Sequence, residues 1–305
     1  MANVLPFKVR VRAVRALVDG NSIRAAARLS GADKDVVMRL GVMVGLGCMK
    51  LHDKLVKGVV ARYIEVDETW TYVGRHEKRK RKDDPRWFGD MYTMFALDTG
   101  SKLVPSYLTG KRSPTGAVHF MQDLRKRVIG KPQVSVDGWP PWIEAVRRSF
   151  GHSGVHLGSV VKEYQKEGRP GIGAAAYGRV KSTEKTAVYG EPDQDRISTS
   201  MAERLNLTTR MHQRRLTRLT NAYSKKKTNL VAAVGLHFMH YNFVRKHETI
   251  GTTPAVKAGL TDHEWTLEEL VKAALEEMGA PTGETPPKRP AHYKRKTHAD
   301  GPRSA

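Results

Sequence analysis

The sequence predicts a mixed α/β protein in which a small all-α domain precedes a larger domain built on a β-sheet. Residues 11–45 contain short apolar helical segments separated by Gly-containing turns. Residues 63–150 instead alternate between apolar, strand-like runs and helical segments. The chain has 305 residues and is 39% hydrophobic, so it can bury a sizeable core.

The N-terminal segment has the pattern of a helix-turn-helix. Apolar residues predict a first helix over 11–18, which Asp19 and Gly20 would end, and further helices over 23–29 and 34–43. Two helices joined by a short Gly-containing turn are typical of DNA-reading motifs, although an ordinary helical pair is the alternative. The basic side chains that would meet DNA are Arg24, Arg28, Lys34 and Arg39.

From residue 63 the pattern changes to strands and single helices. The predicted order is strand 64–67, strand 91–98, strand 102–108, helix 113–127, strand 133–136 and helix 142–150. Three antiparallel strands followed by helix, strand and helix are the order expected of the ribonuclease H-like (integrase-like) fold, although other α/β folds begin similarly. We therefore expect an α/β, ribonuclease H-like catalytic domain behind the helix-turn-helix.

Four regions follow from these patterns. A tail rich in Pro, Lys, Arg and His is expected to be disordered. The predicted regions are 1–56, the helix-turn-helix domain and linker; 57–225, the catalytic domain with an insertion at 151–200; 226–280, a C-terminal helical region; and 281–305, the basic tail.

The charge of the chain predicts a polyanionic partner. Its 53 Lys and Arg outnumber 31 Asp and Glu, which gives a net charge of +22. Nucleic acid is the expected partner, because each neutralised phosphate releases a counterion. A basic protein with a solvated surface, or one with a ribosomal role, is the alternative.

Other functional classes are excluded by the same composition. No apolar run is long enough to span a bilayer, and the N-terminus lacks the features of a signal peptide. We therefore expect a cytoplasmic protein without a membrane partner. Cys48 is the single cysteine, which excludes an internal disulfide and a multi-cysteine zinc site.

Three acids occupy positions suited to metal-dependent phosphoryl transfer. Asp67 and Asp137 each end a predicted apolar strand, and Glu203 lies near the start of a basic helix. Two divalent metals held by carboxylates can activate an oxygen nucleophile and stabilise the leaving oxygen. Strand alternation predicts that Glu68 faces away from Asp67, and that Glu65 shares its face but lies further back. Asp98 is discounted as a turn residue.

The helix of Glu203 is predicted to run from residue 200 to about 220. At about 100° per residue, one broad face carries Glu203, Asn206, Leu207, Arg210, Arg214 and Arg218. An acid aligned with arginines fits metal ligation at one end and phosphate contacts further along, although a solvated basic helix is the alternative.

Two further features lie near the acids. The basic run 75–82, which includes Lys80 and Arg81, falls between the first two strands and would grip a DNA backbone, unless it is a solvated loop. Trp70, Trp139 and Trp142 lie beside the two aspartates. Packing is favoured over stacking on an unpaired base as their role.

Together these segments resemble a known family. Val-Asp-Glu-Thr-Trp at 66–70, Asp-Gly-Trp at 137–139 and Glu-Arg-Leu-Asn-Leu-Thr-Thr-Arg at 203–210 resemble the insertion-sequence-one family of bacterial transposases, within the DDE superfamily. The similarity continues through 215–225 and 240–247 and covers roughly residues 60–255. The block at 203–210 is its most specific part.

The resemblance implies a transposase that cleaves and joins DNA at the ends of an insertion sequence. It implies Asp67, Asp137 and Glu203 as the catalytic, metal-binding triad for Mg²⁺ or Mn²⁺, with Arg210 and Arg214 as DNA contacts. It also implies double-stranded DNA, as transposon ends and target, a homo-oligomer that joins two ends, and a bacterial, nucleoid-associated location.

Two departures from the family accompany this resemblance. Many relatives carry an N-terminal zinc-binding cysteine cluster that Cys48 alone cannot form. The interval between Asp137 and Glu203 is also longer than in compact relatives. A helix-turn-helix regulator with an inactive nuclease-like domain, and a nuclease that cleaves without joining, are the alternatives.

Overall fold

Helices from both ends of the chain pack on a central β-sheet in the computed structural model, which describes residues 4–164, 180–218 and 220–282. Within those ranges, no helix has both the length and the apolarity needed to traverse a bilayer. The helices are α1 (Phe7–Val18), α2 (Ile23–Ser30), α3 (Lys34–Leu55), α4 (Pro114–Arg127), α5 (Pro141–Phe150), α6 (Ser200–His212), α7 (Lys227–Phe243), α8 (Pro254–Lys257) and α9 (Leu267–Glu276).

The strands are β1 (Val59–Val60), β2 (Tyr63–Val73), β3 (Gly89–Asp98), β4 (Ser106–Gly110), β5 (Val128–Ile129), β6 (Gln133–Asp137), β7 (His156–Tyr164) and β8 (Val180–Tyr189). The main sheet is mixed and has the strand order β4-β3-β2-β6-β7-β8. The pairs β2–β3, β3–β4 and β7–β8 are antiparallel, whereas β2–β6 and β6–β7 are parallel. A separate parallel pair joins β1 to β5.

Alternating side chains bury both faces of the sheet. On β3, Met94 and Ala96 belong to the core that contains α4 and α5, whereas Phe95 and Leu97 belong to the core that contains α6 and α7. Successive side chains of a strand point to opposite faces, so helices cover both sides of this strand. The predicted mixed α/β architecture is confirmed.

Local capping explains the predicted helix, turn and helix at the N-terminus. The Ser22 side chain accepts a hydrogen bond from the Ala25 N–H, and Asp33 accepts from the N–H groups of Asp35 and Val36. Gly31 ends α2 with a φ of +73°, which glycine adopts at little cost. These caps fix the break between α2 and α3.

The third helix is longer than predicted, because α3 continues past residue 43 to Leu55. Its glycines serve close packing rather than a linker. A Cβ on Gly45 would lie 2.1 Å from the Ala232 carbonyl oxygen of α7, and one on Gly47 would lie 1.9 Å from that of Ala274 in α9. The segment therefore needs glycine for helix contact.

Helices from both ends of the chain share one apolar core. Val44 and Cys48 of α3 are buried together with Met239 of α7 and with Leu270 and Ala274 of α9. The N-terminal helices are thus packed against the C-terminal helical region. The domain boundaries stay a prediction from the sequence.

The region expected to be an insertion contributes two strands to the sheet. β7 pairs with β6 in parallel, and β8 pairs with β7 in the antiparallel direction. The middle of this region, 165–179, lies outside the described residues, as does 283–305, which includes most of the predicted tail. The described parts of 151–200 thus add two strands to the edge of the sheet, and the predicted insertion stays a prediction.

Candidate functional site

A cleft of about 710 Å³ lies beside the end of β6, and the three predicted acids line it. Asp67 comes from β2, Asp137 from the last position of β6 and Glu203 from the first turn of α6. Arg210 and Arg218 line the same cleft. Residues that are far apart in the sequence therefore meet at one place.

The strand pairing explains why the two aspartates lie at the cleft. β2 and β6 are paired in parallel only as far as Glu65 and Ser135, and β6 ends at Asp137. Beyond this point the sheet opens between the two strands. A crevice outside the carboxyl ends of parallel strands is a usual place for a binding site.

Asp67 is held by its own strand and by α6. Its Oδ1 accepts a hydrogen bond from the Glu68 N–H at 2.7 Å, and its Oδ2 accepts one from the Asn206 side-chain amide at 2.5 Å. Burial is the largest cause and raises the pKa of Asp67 to about 7. The hydrogen bond from the Glu68 N–H opposes this rise, and the negative charges of Glu68, Asp137 and Glu203 add to it. In the absence of metal, this carboxyl therefore changes its charge near neutral pH.

Asn206 and Glu65 fix α6 against β2. The Asn206 oxygen accepts a hydrogen bond from the Thr69 hydroxyl. The Glu65 side chain accepts one from the Ala202 N–H at 2.9 Å, in the first turn of α6. Unpaired N–H groups at a helix start are well satisfied by a carboxylate. Burial raises the pKa of Glu65. The shared face of Glu65 and Asp67, predicted from alternation, therefore carries a structural anchor behind the site.

The other two acids of the predicted set are engaged by cations. Glu203 forms an ion pair with Lys162 of β7 and accepts a hydrogen bond from the Thr199 hydroxyl at 3.0 Å. Asp137 Oδ2 lies 3.8 Å from a terminal nitrogen of Arg112. The signal that could have found Lys162 is its place on a strand next to β6, which only the sheet order reveals.

Glu68 also lines the cleft, which corrects the prediction that it faces away. β2 has lost its β6 partner by this point, so side chains on both of its faces reach the opening. Burial raises the pKa of Glu68 to about 7, although the Arg112 cation opposes that rise. In the described part of the chain, its buried Oε2 has no hydrogen-bond partner.

Arg112 joins these acids to an aromatic ring. Its Nε donates to Glu68 Oε1, and its guanidinium carbon lies 4.2 Å from the centroid of the Trp139 ring. Sequence reasoning missed Arg112, because it lies in a loop after β4 without any motif of its own. Trp139 lines the cleft, whereas Trp142 is fully buried against Phe120, as the packing interpretation predicts.

The donor set of the cleft suits a hard divalent cation. Carboxylate oxygens are the ligands that Mg²⁺ and Mn²⁺ prefer, and Glu68 Oε2 is an unsatisfied acceptor among them. Among the described residues, however, no three His, Cys, Asp or Glu side chains are placed to hold one ion. The lysine and the arginine already engage the acids.

The basic helix is shorter than predicted, which changes the position of its arginines. α6 ends at His212, because Gln213 is extended and its side chain accepts a hydrogen bond from the Arg215 N–H of a short 3₁₀ turn. The prediction that one helix face carries the whole set of residues from Glu203 to Arg218 is therefore wrong. Arg210 and Arg218 still reach the cleft, whereas Arg214 lines a second cavity of about 530 Å³ beside α2 and α3.

The other predicted DNA contacts lie outside the acid cleft. Arg24, Arg28, Lys34 and Arg39 are exposed on α2 and α3. Lys34 forms an ion pair with Asp35 at 2.9 Å. In the loop between β2 and β3, Arg81 is exposed and Lys80 lies 3.8 Å from Glu77. These side chains are available to a polyanion at the surface, and their DNA-binding role stays a prediction.

Comparison with known proteins gives structural likeness only. No protein-family model matches the chain, and no curated protein matches it. Similar solved structures are a Mos1 transposase paired-end complex with the left transposon end (14% identity, 52% of this chain, 60% of that chain, TM-score 0.21) and a piggyBac transposase synaptic complex with hairpin DNA (9%, 96%, 78%, 0.35). Another is a Mos1 mariner paired-end complex with Mn (13%, 75%, 74%, 0.21).

The first Mos1 match spans less than two thirds of the Mos1 chain. The first two descriptions name transposases, and the third names a Mos1 paired-end complex. At such identities and TM-scores, the likeness by itself does not extend their activity to this chain.

Proposed function

We propose that this chain is a DNA transposase that uses a divalent metal, Mg²⁺ or Mn²⁺, to cleave DNA at the ends of an insertion sequence and to join the strands. One observation carries the proposal. Asp67, Asp137 and Glu203 come from two adjacent strands and a helix and line one cleft together with Arg210 and Arg218. Acids for metal and arginines for phosphate are what phosphodiester chemistry requires.

The sheet supports a ribonuclease H-like catalytic domain. Its first long strand, β2, lies between an antiparallel pair, β3 and β4, and two parallel strands, β6 and β7. This is the arrangement that the sequence resemblance to insertion-sequence-one transposases implies. The most specific block of that resemblance, 203–210, begins with the acid of the cleft and ends with one of its arginines.

In this proposal each residue has a defined task. Asp67, Asp137 and Glu203 would hold the metal, which would activate an oxygen nucleophile and stabilise the leaving oxygen when bound. Asn206 orients the Asp67 carboxylate, and Glu65 keeps the start of α6 against β2. Lys162 and Thr199 both contact Glu203 Oε1, so a metal would be held through Oε2 or in place of Lys162.

DNA would be bound by more than the cleft. We assign Arg24, Arg28, Lys34 and Arg39 to recognition of the terminal repeats, and Lys80 and Arg81 to the DNA backbone. The net charge of +22 and the exposure of these side chains, Lys80 being half-buried, support this assignment. Because transposition joins two ends, the active form would be a homo-oligomer on double-stranded DNA.

A cleavage assay tests the proposal. The full chain is incubated with a labelled duplex that carries the inverted repeat bordering its gene, in Mg²⁺ or in EDTA. We expect Mg²⁺-dependent nicking at the end, and a loss of more than about 100-fold in Asp137→Asn. Removal of groups that only support metal ligands costs about 10- to 100-fold. Asp195→Asn, an exposed acid outside the cleft, is the matched control.

The second candidate is a helix-turn-helix regulator with an inactive nuclease-like domain. The ion pairs of Glu203 with Lys162 and of Asp137 with Arg112 favour it, since they engage acids that a metal would need. Tight, end-specific binding without nicking in Mg²⁺ or Mn²⁺ would support this candidate and contradict the transposase. Nicking without any strand-transfer product would indicate a nuclease.

A further inference from the structure

Arg112 lines the cleft without a role in the triad. It lies directly before the Ser113 cap of α4, whose side chain accepts a hydrogen bond from the Gly116 N–H at 3.1 Å. The Arg112 backbone is therefore fixed by a helix start. Its side chain is 31% exposed, so it is held by the protein and still accessible from the cleft.

Four groups surround the guanidinium, and one of them is the Tyr92 ring, whose centroid lies 5.9 Å from its central carbon. Glu68 accepts from its Nε side, and the Trp139 ring lies 4.2 Å from its central carbon. Asp137 lies 3.8 Å from Nη2, which is too long for a hydrogen bond. One edge and one face of the guanidinium are thus engaged, and its Nη2 side is only loosely paired. A planar guanidinium held in this way is pre-oriented for a second, bidentate partner.

The charges of the cleft identify that partner. Acids and basic side chains line the same opening, and Arg112 is the cation that lies between Glu68 and Asp137. Arg112 already has two carboxylates, Glu68 and Asp137, beside it. A further ligand of the guanidinium would be an anion that can also lie close to these acids. In a cleft that acts on DNA, the phosphodiester group is the anion that meets both requirements.

We propose that Arg112 binds the phosphate that is cleaved, and that Glu68 and Trp139 position its guanidinium for this contact. This inference rests on the proposed function. It adds a residue for substrate binding to the three acids. It also gives Glu68 a positioning task that explains why a buried carboxylate lies next to Asp67.

A double-mutant cycle between protein and DNA tests the contact. Cleavage by the wild-type chain in Mg²⁺ first locates the reacting phosphate. Duplexes are then made with that phosphate or with a neutral methylphosphonate at the same position. Binding of wild type and Arg112→Gln to both duplexes is measured in Ca²⁺, which carboxylate oxygens also bind.

We expect the neutral phosphate to weaken wild-type binding by about 10- to 100-fold, the range for a hydrogen bond between charged groups. In Arg112→Gln the same change should cost several-fold less than in wild type, because one of the partners of the phosphate is already missing and only the metal contact remains. Arg112→Lys should recover part of the loss, since it keeps the charge but not the planar fork. Arg148→Gln, an exposed residue of α5 outside the cleft, should behave like wild type.

Three outcomes separate the two proposals. Equal losses in wild type and Arg112→Gln would overturn the Arg112 contact and leave the proposed function standing. A wild-type chain that neither binds nor cleaves the end would overturn both. Glu68→Gln isolates the positioning role. It should reduce the coupling between Arg112 and the phosphate while the melting temperature stays near that of wild type, and unchanged coupling would contradict that role.

Discussion

Asp67 combines burial with the proximity of other carboxylates, and the two effects act in the same direction. Burial is the larger cause, and together they raise its pKa to about 7. A carboxyl whose pKa is higher in the folded than in the unfolded state stabilises the fold below the unfolded pKa. That stabilisation is lost as pH rises through about 7. Asp67 therefore makes the metal-free protein less stable at the neutral and higher pH at which DNA cleavage would take place.

The Asp67→Asn variant should reveal this cost. The free energy of unfolding of the variant minus that of wild type should increase between about pH 4 and pH 7 and then level off. The limiting slope is about 1.4 kcal/mol per pH unit, because one proton is involved. Urea unfolding in EDTA across this range measures the difference. Loss of hydrogen bonds to Asn206 and Glu68 adds an offset that does not depend on pH, so a flat difference would contradict the raised pKa.

At the scale of elements, helix packing around α3 determines how the two ends of the chain meet. Gly45 lies against the backbone of α7, and a Cβ there would approach the Ala232 carbonyl oxygen to 2.1 Å. Backbone cannot move aside as a side chain can. The close approach of the two helices therefore depends on the absence of a side chain at this position.

Gly45→Ala should destabilise the protein by about 1–3 kcal/mol, the usual cost of overpacking, despite the better helix propensity of alanine. Gly41→Ala on the same helix is the control. There the new Cβ would meet the end of the flexible Leu17 side chain at 2.9 Å, so a smaller change is expected. Chemical denaturation of both variants measures the difference. If both variants lost the same stability, contact with the α7 backbone would not be the cause of the destabilisation by Gly45→Ala.

The sequence predicted those elements that are defined by local signals, namely hydrophobic periodicity and the residues that begin or end a helix or strand. The α4 segment was found from its Ser113-Pro114 start, and β3 and β6 from apolar runs. The end of α6 was missed, because Gln213 interrupts the helix through a side-chain contact that no helix rule includes. The length of α3 was left open, because residues 46–62 fitted either a linker or a connecting helix; its glycines usually weaken a helix but here allow it to pack.

The candidate site was predictable in its acids and not in its cations. Asp67, Asp137 and Glu203 lie in recognisable sequence contexts, and all three line the cleft. Arg112 and Lys162 come from a loop and from a strand that carry no motif, and only the sheet order brings them to the acids. Long-range contacts of this kind cannot be inferred from local patterns.

At the scale of the whole molecule, an excess of positive charge dominates the interaction with DNA. Part of the net charge of +22 lies on the N-terminal helices, the basic loop and the arginines at the cleft. Each phosphate that a cation neutralises contributes to the salt dependence of binding. The number of contacts can therefore be counted residue by residue.

Replacing Arg210 or Arg218 with Gln should reduce the salt dependence of binding to the end duplex. The slope of log K against log salt concentration should fall by about 1 for each lost phosphate contact. Arg148→Gln should leave it unchanged. Fluorescence anisotropy at several salt concentrations gives the slopes. An unaltered slope in both cleft variants would place the bound DNA away from the cleft.

The 22 residues of α3 form one rod of about 33 Å, at about 1.5 Å per residue. Its first turn follows the exposed α2–α3 corner, and its middle is clamped between α7 and α9. If the α2–α3 corner binds DNA as proposed, the rigid helix α3, not a flexible linker, sets the distance between the bound base pairs and the sheet. The rod is about as long as one turn of B-DNA, about 34 Å. The cut would then fall at a set number of base pairs from the recognised sequence.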